Sequence, residues 1–227
     1  MKLADPPLLS PRWRLGAFAL VLVCAAVGSV LGIRYAHHTR PGTFDRAVDG
    51  WFLANVNHRT ALWFADLGNA PVVLVLSVVV LGCCVWLRYP RGVMLAVLAP
   101  ACATSLTEYV LQPLVHRTKD GYLAYPSGHM TGWCTLTVVV VLIASGPLVP
   151  RRAAAWVAAV AAVVAVGCGL GLIASDYHYA TDVIGGLAVA VGTTLALALL
   201  IDALAPLVSP RMTDPGARSG RQRGRVG

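Results

Sequence analysis

Six apolar runs, each near the length of a bilayer crossing, govern what this chain can fold into: 15–35, 71–87, 92–115, 130–148, 153–174 and 182–207. A helix needs about 20 apolar residues to cross the hydrocarbon core. Inside lipid, backbone N–H and C=O groups must be satisfied within the segment, so spans of this kind are helices. The runs are rich in Ala, Val and Gly, and small residues let helices approach closely. The stripe Gly167, Gly169 and Gly171 is expected to serve such packing. Only 12% of the residues are charged and 57% are hydrophobic. The mean hydropathy is +0.70, and that little charge cannot cover a soluble surface. The expectation is an all-α, integral-membrane six-helix bundle over 15–207, with a cytoplasmic N-terminus (1–14) and a basic tail (208–227) that reads as disordered. The first run is too long for the apolar core of a signal peptide, and no small-x-small cleavage site follows it, so it reads as a true span.

Charge orients the bundle. The positive-inside rule groups Lys2, Arg12, Arg14, Arg88, Arg91, Arg151, Arg152 and the five tail arginines on one face, twelve cations in all, against six on the other. Both termini are then cytoplasmic, and the segments 36–70, 116–129 and 175–181 face outward. The net charge of +8 needs no nucleic-acid partner, because the Arg-rich tail suits anionic headgroups. The outer stretch 43–69 mixes Trp51, Phe52, Trp63 and Phe64 with Asp45, Asp49, Asn55, Asn57 and Arg59. It reads as an amphipathic helix in the interface plane. The six cysteines lie within apolar runs and read as small buried hydrophobes. His37, His38 and His58 read as solvated loop residues.

Two outer segments carry chemistry. The first runs from Arg117 and Lys119 to Pro126-Ser127-Gly128-His129. Ser127 is a good N-cap for the fourth span. Gly128 has no Cβ to obstruct a ligand. Free N–H groups at a helix start, with cations nearby, make an anion site whose usual occupant is phosphate. The second segment places His178 four residues before Asp182, on one face of a first helical turn. A carboxylate that orients an imidazole leaves its other nitrogen as a nucleophile. An anion cradle, a carboxylate-oriented histidine and a second histidine form the set that phosphoryl transfer needs. His178 attacks phosphorus, His129 protonates the departing oxygen, and water hydrolyses the phosphohistidine.

At these residues the chain resembles the type-2 phosphatidic acid phosphatase family, which shares its core with the vanadium haloperoxidases. The resemblance spans 71–207. The family carries Lys-x6-Arg-Pro, Pro-Ser-Gly-His and Ser-Arg-x5-His-x3-Asp. The middle motif matches in full at 126–129, and the His and Asp of the third match at His178 and Asp182. The resemblance implies His178 as nucleophile, Asp182 as its partner, His129 as general acid, and no metal or other cofactor. Gln112 stands where the family lysine would, Lys119-Asp120 where Arg-Pro would, and Gly171-Leu172 where Ser-Arg would. Arg117 is expected to substitute for the missing arginine, so the phosphate ligands are Arg117, Lys119, Ser127, Gly128 and Gln112.

The expected function is a membrane lipid phosphatase acting on a polyprenyl phosphate or diphosphate, phosphatidate or a similar lipid, with its site on the outer face. The alternative is a relative that binds phosphorylated lipid without hydrolysing it, since part of the cationic cradle is missing. A transporter or channel would need polar residues along its spans, and only Glu108 and Gln112 lie well inside one.

Overall fold

The structure, a computed structural model, describes residues 5–208. Residues 1–4 and the basic tail from 209 onward lie outside the described residues. The chain is almost wholly helical. Helix α1 (Pro11–Tyr35) leads through an exposed turn to α2 (Thr43–Asn55) and α3 (His58–Ala65). A 3-10 turn, Asp66–Gly68, joins α3 to α4 (Ala70–Trp86). Helix α5 (Pro90–Ser105) continues through a π-helical segment, Leu106–Leu111, into the single turn α6 (Gln112–Val115). A two-stranded hairpin, β1 (Thr118–Lys119) and β2 (Tyr122–Leu123), precedes α7 (Gly128–Ala144), α8 (Arg151–Ala174) and α9 (Ala180–Val208). Asp120 and Gly121 close the hairpin with positive φ, the backbone that an Asp-Gly turn supplies.

Local chemistry sets these boundaries. Proline stands in the first turn of α1, α4 and α5, where its missing N–H costs nothing. The Ser127 hydroxyl accepts from the Met130 N–H and caps α7. The Asn57 side chain accepts from the amides of Arg59 and Thr60 and starts α3. That cap breaks the expected single amphipathic stretch 43–69 into two helices. The aromatic face behaves as expected, with Trp51 and Trp63 exposed, but Asp45 and Asp49 are buried in the protein instead of facing water.

Helices α1, α5 and α7 pack on α9, and α3 and α7 pack on α8. The glycines of α8 make the close approaches. A Cβ at Gly171 would lie 2.8 Å from the Ala61 carbonyl oxygen, and one at Gly167 would lie 2.8 Å from the Phe64 ring. Gly169 faces the other way, toward Val183 and Met130. One apolar core gathers Leu95, Ala99, Val139, Leu142, Leu195 and Ala198. A second, built of Met130, Trp133, Cys168, Leu172, Ile173 and Val183, lies under the histidine loops. The outer faces carry exposed Leu, Val, Phe and Trp, among them Phe18 and Ile33 on α1, Leu74 and Val78 on α4, and Trp156 and Val163 on α8. A continuous apolar exterior of this kind belongs in lipid. The six cysteines are free, and His37, His38 and His58 are exposed.

The span count is smaller than the six runs suggest. Four helical segments are long and apolar enough to cross a membrane: Pro11–Tyr35, Pro90–Val115, Arg151–Ala174 and Ala180–Leu207. A fifth is counted if His58–Gly68 and Ala70–Trp86, bent by 48°, form one span. Helix α7 has 17 residues, about 26 Å at 1.5 Å per residue, and is shorter than those four segments.

The three segments expected on one face do meet at one end of the bundle. At the opposite end, Asp202 on α9 accepts from the N–H groups of Leu8 and Leu9 and from Arg91, which also binds Asp5. This staple pins the approach to α1 onto α5 and α9. Replacing Asp202 with Ala leaves Arg91 paired with Asp5 alone and strands two amides in a buried setting. It is expected to cost about 3 kcal/mol, read as a lowered Tm of the detergent-purified protein.

Candidate active site

The site sits where the loop before α9, the start of α7 and the hairpin converge. Its centre is a cavity of about 1330 Å³. His129 and His178 line it together, with ring centroids 5.8 Å apart and planes inclined at 63°. Below the histidines the cavity continues as an apolar groove between α4 and α5, walled by Leu74, Val78, Leu81, Val97 and Pro100.

The His178 ring is 11% exposed, and its Nδ1 lies 4.0 Å from the Asp182 carboxylate. This Nδ1 is buried without a hydrogen bond, while the ring lines the cavity. The sequence spacing predicted a carboxylate beside the imidazole, and the structure places it there at ion-pair rather than hydrogen-bond distance. Burial pushes the His178 imidazole down to about 3, helped by His129, Lys119 and Arg117. Burial thus favours the neutral ring.

His129 opens α7 beside Gly128. Its Nε2 lies 3.1 Å from Asn69 Oδ1. Gly68, just before Asn69, permits this approach, since a Cβ there would sit 3.0 Å from His129 Cβ. Gly128 lines the cavity, and a Cβ on it would meet Glu108 and Gln112 only at 3.8–4.0 Å. The backbone thus has room for a side chain at 128, and glycine leaves that room open.

The expected phosphate ligands divide sharply. Lys119 lines the cavity and donates to Asp176 Oδ1 at 2.6 Å. Gln112 also lines it, but donates to the Pro126 carbonyl and so braces the turn before His129. Ser127 is fully buried, and its hydroxyl serves as the cap of α7. Arg117 departs furthest from expectation. It is 0% exposed and does not line the cavity. One terminal nitrogen donates to Thr181 and to Asp182, the other to Asp45, all at 2.6 Å. The rings of Tyr35 and Tyr179 lie 4.2 and 4.6 Å from its guanidinium carbon. Its charge is spent on carboxylates, which leaves it a support for Asp182 rather than a ligand for phosphate. Leu172, at the family arginine position, is core.

Sequence reasoning missed the carboxylates that hold this region. Asp45 accepts from the Thr181 N–H and hydroxyl, and Asp49 from the Ala180 N–H. The two cap the start of α9 from α2. Burial works to raise Asp45, but hydrogen bonds from Thr181 and Arg117 hold it below the usual carboxylate range. Burial pushes Asp49 up to about 6 against its bond from Ala180. Their four-residue spacing, opposite an aromatic face, was the available signal. The carboxylates of Glu108, Asp120 and Asp176 also line the cavity.

A family model described as the PAP2 superfamily matches residues 70–205. The search of curated proteins returned no match. Among solved structures, the fold resembles the crystal structure of the first transmembrane PAP2 type phosphatidylglycerolphosphate phosphatase from Bacillus subtilis, with a TM-score of 0.65 at 18% identity, covering 86% of this chain and 98% of that one.

Two outcomes follow. Lysine at position 117 would present a point charge where two carboxylates and a hydroxyl meet a planar fork. Arg117→Lys is expected to destabilise the fold by about 3 kcal/mol and to slow any reaction at His178, measured by thermal unfolding alongside turnover. The His178 imidazole binds its proton near pH 6.5 when unfolded but only near 3 when folded. Between these values the unfolded chain holds the extra proton, so stability falls as pH is lowered. His178→Gln should lose part of that acid sensitivity, seen as a flatter Tm between pH 7 and 4.

Proposed function

The chain belongs to the PAP2 superfamily, and from that premise we propose that it is a membrane phosphatase acting on a phosphorylated lipid. The observation that carries the reading is the pair His129 and His178, 5.8 Å apart on one cavity that runs on into an apolar groove. A phosphoryl group fits between the rings, and a lipid chain fits the groove between α4 and α5. Substrates of this form include phosphatidate, phosphatidylglycerol phosphate and polyprenyl phosphate or diphosphate.

In the proposed reaction His178 Nε2 attacks phosphorus and the bond from phosphorus to the lipid oxygen breaks. His129, as imidazolium, gives its proton to that oxygen, and the lipid leaves as an alcohol or, from a diphosphate, as a monophosphate. Neutral His129 then takes a proton from water as it attacks the phosphohistidine, releasing inorganic phosphate and restoring both rings. Positioned proton transfer of this kind contributes roughly 10²–10⁴-fold. Lys119 neutralises non-bridging oxygens, and the amides at the start of α7 donate to them. Arg117 and Asp182 hold the loop of His178. The charge pattern supports six crossings, with α7 counted despite its length, both termini cytoplasmic and the site on the outer face.

One observation favours a second reading, binding without hydrolysis. Among the described residues Lys119 is the one Lys or Arg lining the cavity, against the carboxylates of Glu108, Asp120 and Asp176.

Phosphate release by purified protein from a panel of these lipids separates the readings. Wild type is expected to release phosphate and to yield an acid-labile, alkali-stable phosphoryl label. His178→Ala is expected to lose turnover by roughly 10³-fold or more. Equal release by His178→Ala would remove His178 as nucleophile. Lipid retention with neither release nor label would establish the binding-only reading.

A further inference from the structure

Asn69 occupies the N-cap of α4, a position where asparagine ordinarily accepts from the first helical amides. Here its side chain makes no capping bond. It turns instead toward α7 and bridges two charged or titratable groups. Its Nδ2 donates to Asp66 Oδ1 at 3.0 Å, and its Oδ1 lies 3.1 Å from His129 Nε2. The chemistry of this chain of contacts is determinate. An ionised carboxylate only accepts hydrogen bonds, so the amide nitrogen of Asn69 must face Asp66. The amide oxygen must then face His129, and an oxygen acceptor requires a proton on His129 Nε2. Nδ1 has no partner and is not among the buried polar atoms, so it opens to the cavity that His129 lines.

We propose that Asn69, anchored by Asp66, is a positioning residue that fixes the tautomer and orientation of His129, making Nδ1 the nitrogen that exchanges the mobile proton. This rests on the phosphatase reading for its role in turnover, but the tautomer itself does not. A histidine acting first as acid and then as base needs one nitrogen held and one free. The Asn69 contact holds Nε2 through both steps. Gly68 and the bend between α3 and α4 deliver Asn69 to this place, which gives the broken helix a local purpose. Other titratable or charged groups around His129 come from the loop before α9 (Asp176, Tyr177, His178), the hairpin (Lys119, Asp120) and the π-segment (Glu108). None of these forms a hydrogen bond to its ring.

The test combines turnover with nitrogen NMR of the full-length protein labelled at histidine, with His129 assigned through His129→Gln. In wild type, neutral His129 should show its proton on Nε2. Asn69→Leu should mix the tautomers, lower kcat by about 10-fold and leave KM within a factor of two. Asn69→Asp places a carboxylate on the ring, which favours imidazolium, so activity should persist to higher pH. Asp66→Asn keeps the amide contact but removes the charge, so the alkaline fall in activity should move to lower pH with kcat retained. A wild-type proton on Nδ1 would overturn the proposal, as would an Asn69→Leu protein with unchanged tautomer and pH profile. If wild type shows the Nε2 proton and releases no phosphate, the positioning stands and the phosphatase reading fails.

Discussion

The buried guanidinium of Arg117 is the interaction on which the histidine-bearing end of this protein depends. It joins Asp45 on α2 to Asp182 on α9 and lies between two tyrosine rings. Desolvating a charge is costly, and only well-formed pairs and hydrogen bonds offset it. Here two carboxylates, Asp45 and Asp182, meet the guanidinium, and a threonine hydroxyl and the backbone amides of Tyr179 and Thr181 complete the cluster. The consequence is geometric. The loop that carries His178 cannot shift without breaking contacts to α2 and to the segment before the hairpin. The planar fork of arginine suits this task, and lysine does not.

That cluster also explains the sparse cationic lining of the cavity. A guanidinium used to hold Asp182 is not available to a phosphoryl oxygen. Lys119 remains at the cavity, held by Asp176, whose side chain is 59% exposed. The Lys119 side chain itself is 7% exposed and its ammonium also lies over the Tyr179 ring, so the pair is partly buried at the cavity wall. The membrane character follows from a different balance. The core is small and divided, while much of the apolar surface points outward, as lipid allows and water does not.

Part of this was legible in the sequence. Long apolar runs, the Ser127 cap and the Pro-Ser-Gly-His start of α7 are local signals that appear where they were expected, whereas His178 lies in the loop just before α9 rather than in its first turn. The α8 glycines likewise pack as their small size suggests. The span lengths were less legible. α7 ends sooner than its apolar run, and α3 and α4 are bent apart, because Gly68 and Asn69 serve the approach to His129 rather than helix continuity.

What the sequence by itself determined is the class of molecule and its two histidine motifs. Composition demands lipid, helical hydrogen bonding within lipid demands spans, and the motif spacing puts His129 in the first turn of α7 and His178 beside Asp182 at the approach to α9. What only the tertiary structure decided is which polar groups face the cavity and which face each other. The contacts of Arg117 with Asp45, Thr181 and Asp182, of Asp45 and Asp49 with the start of α9, and of Asn69 with His129 join residues far apart along the chain, so no local pattern pairs them. Burial made that choice: each charge taken out of water needed a partner in reach, and the packing of α2, α4, α7 and α9 settled which partners those were.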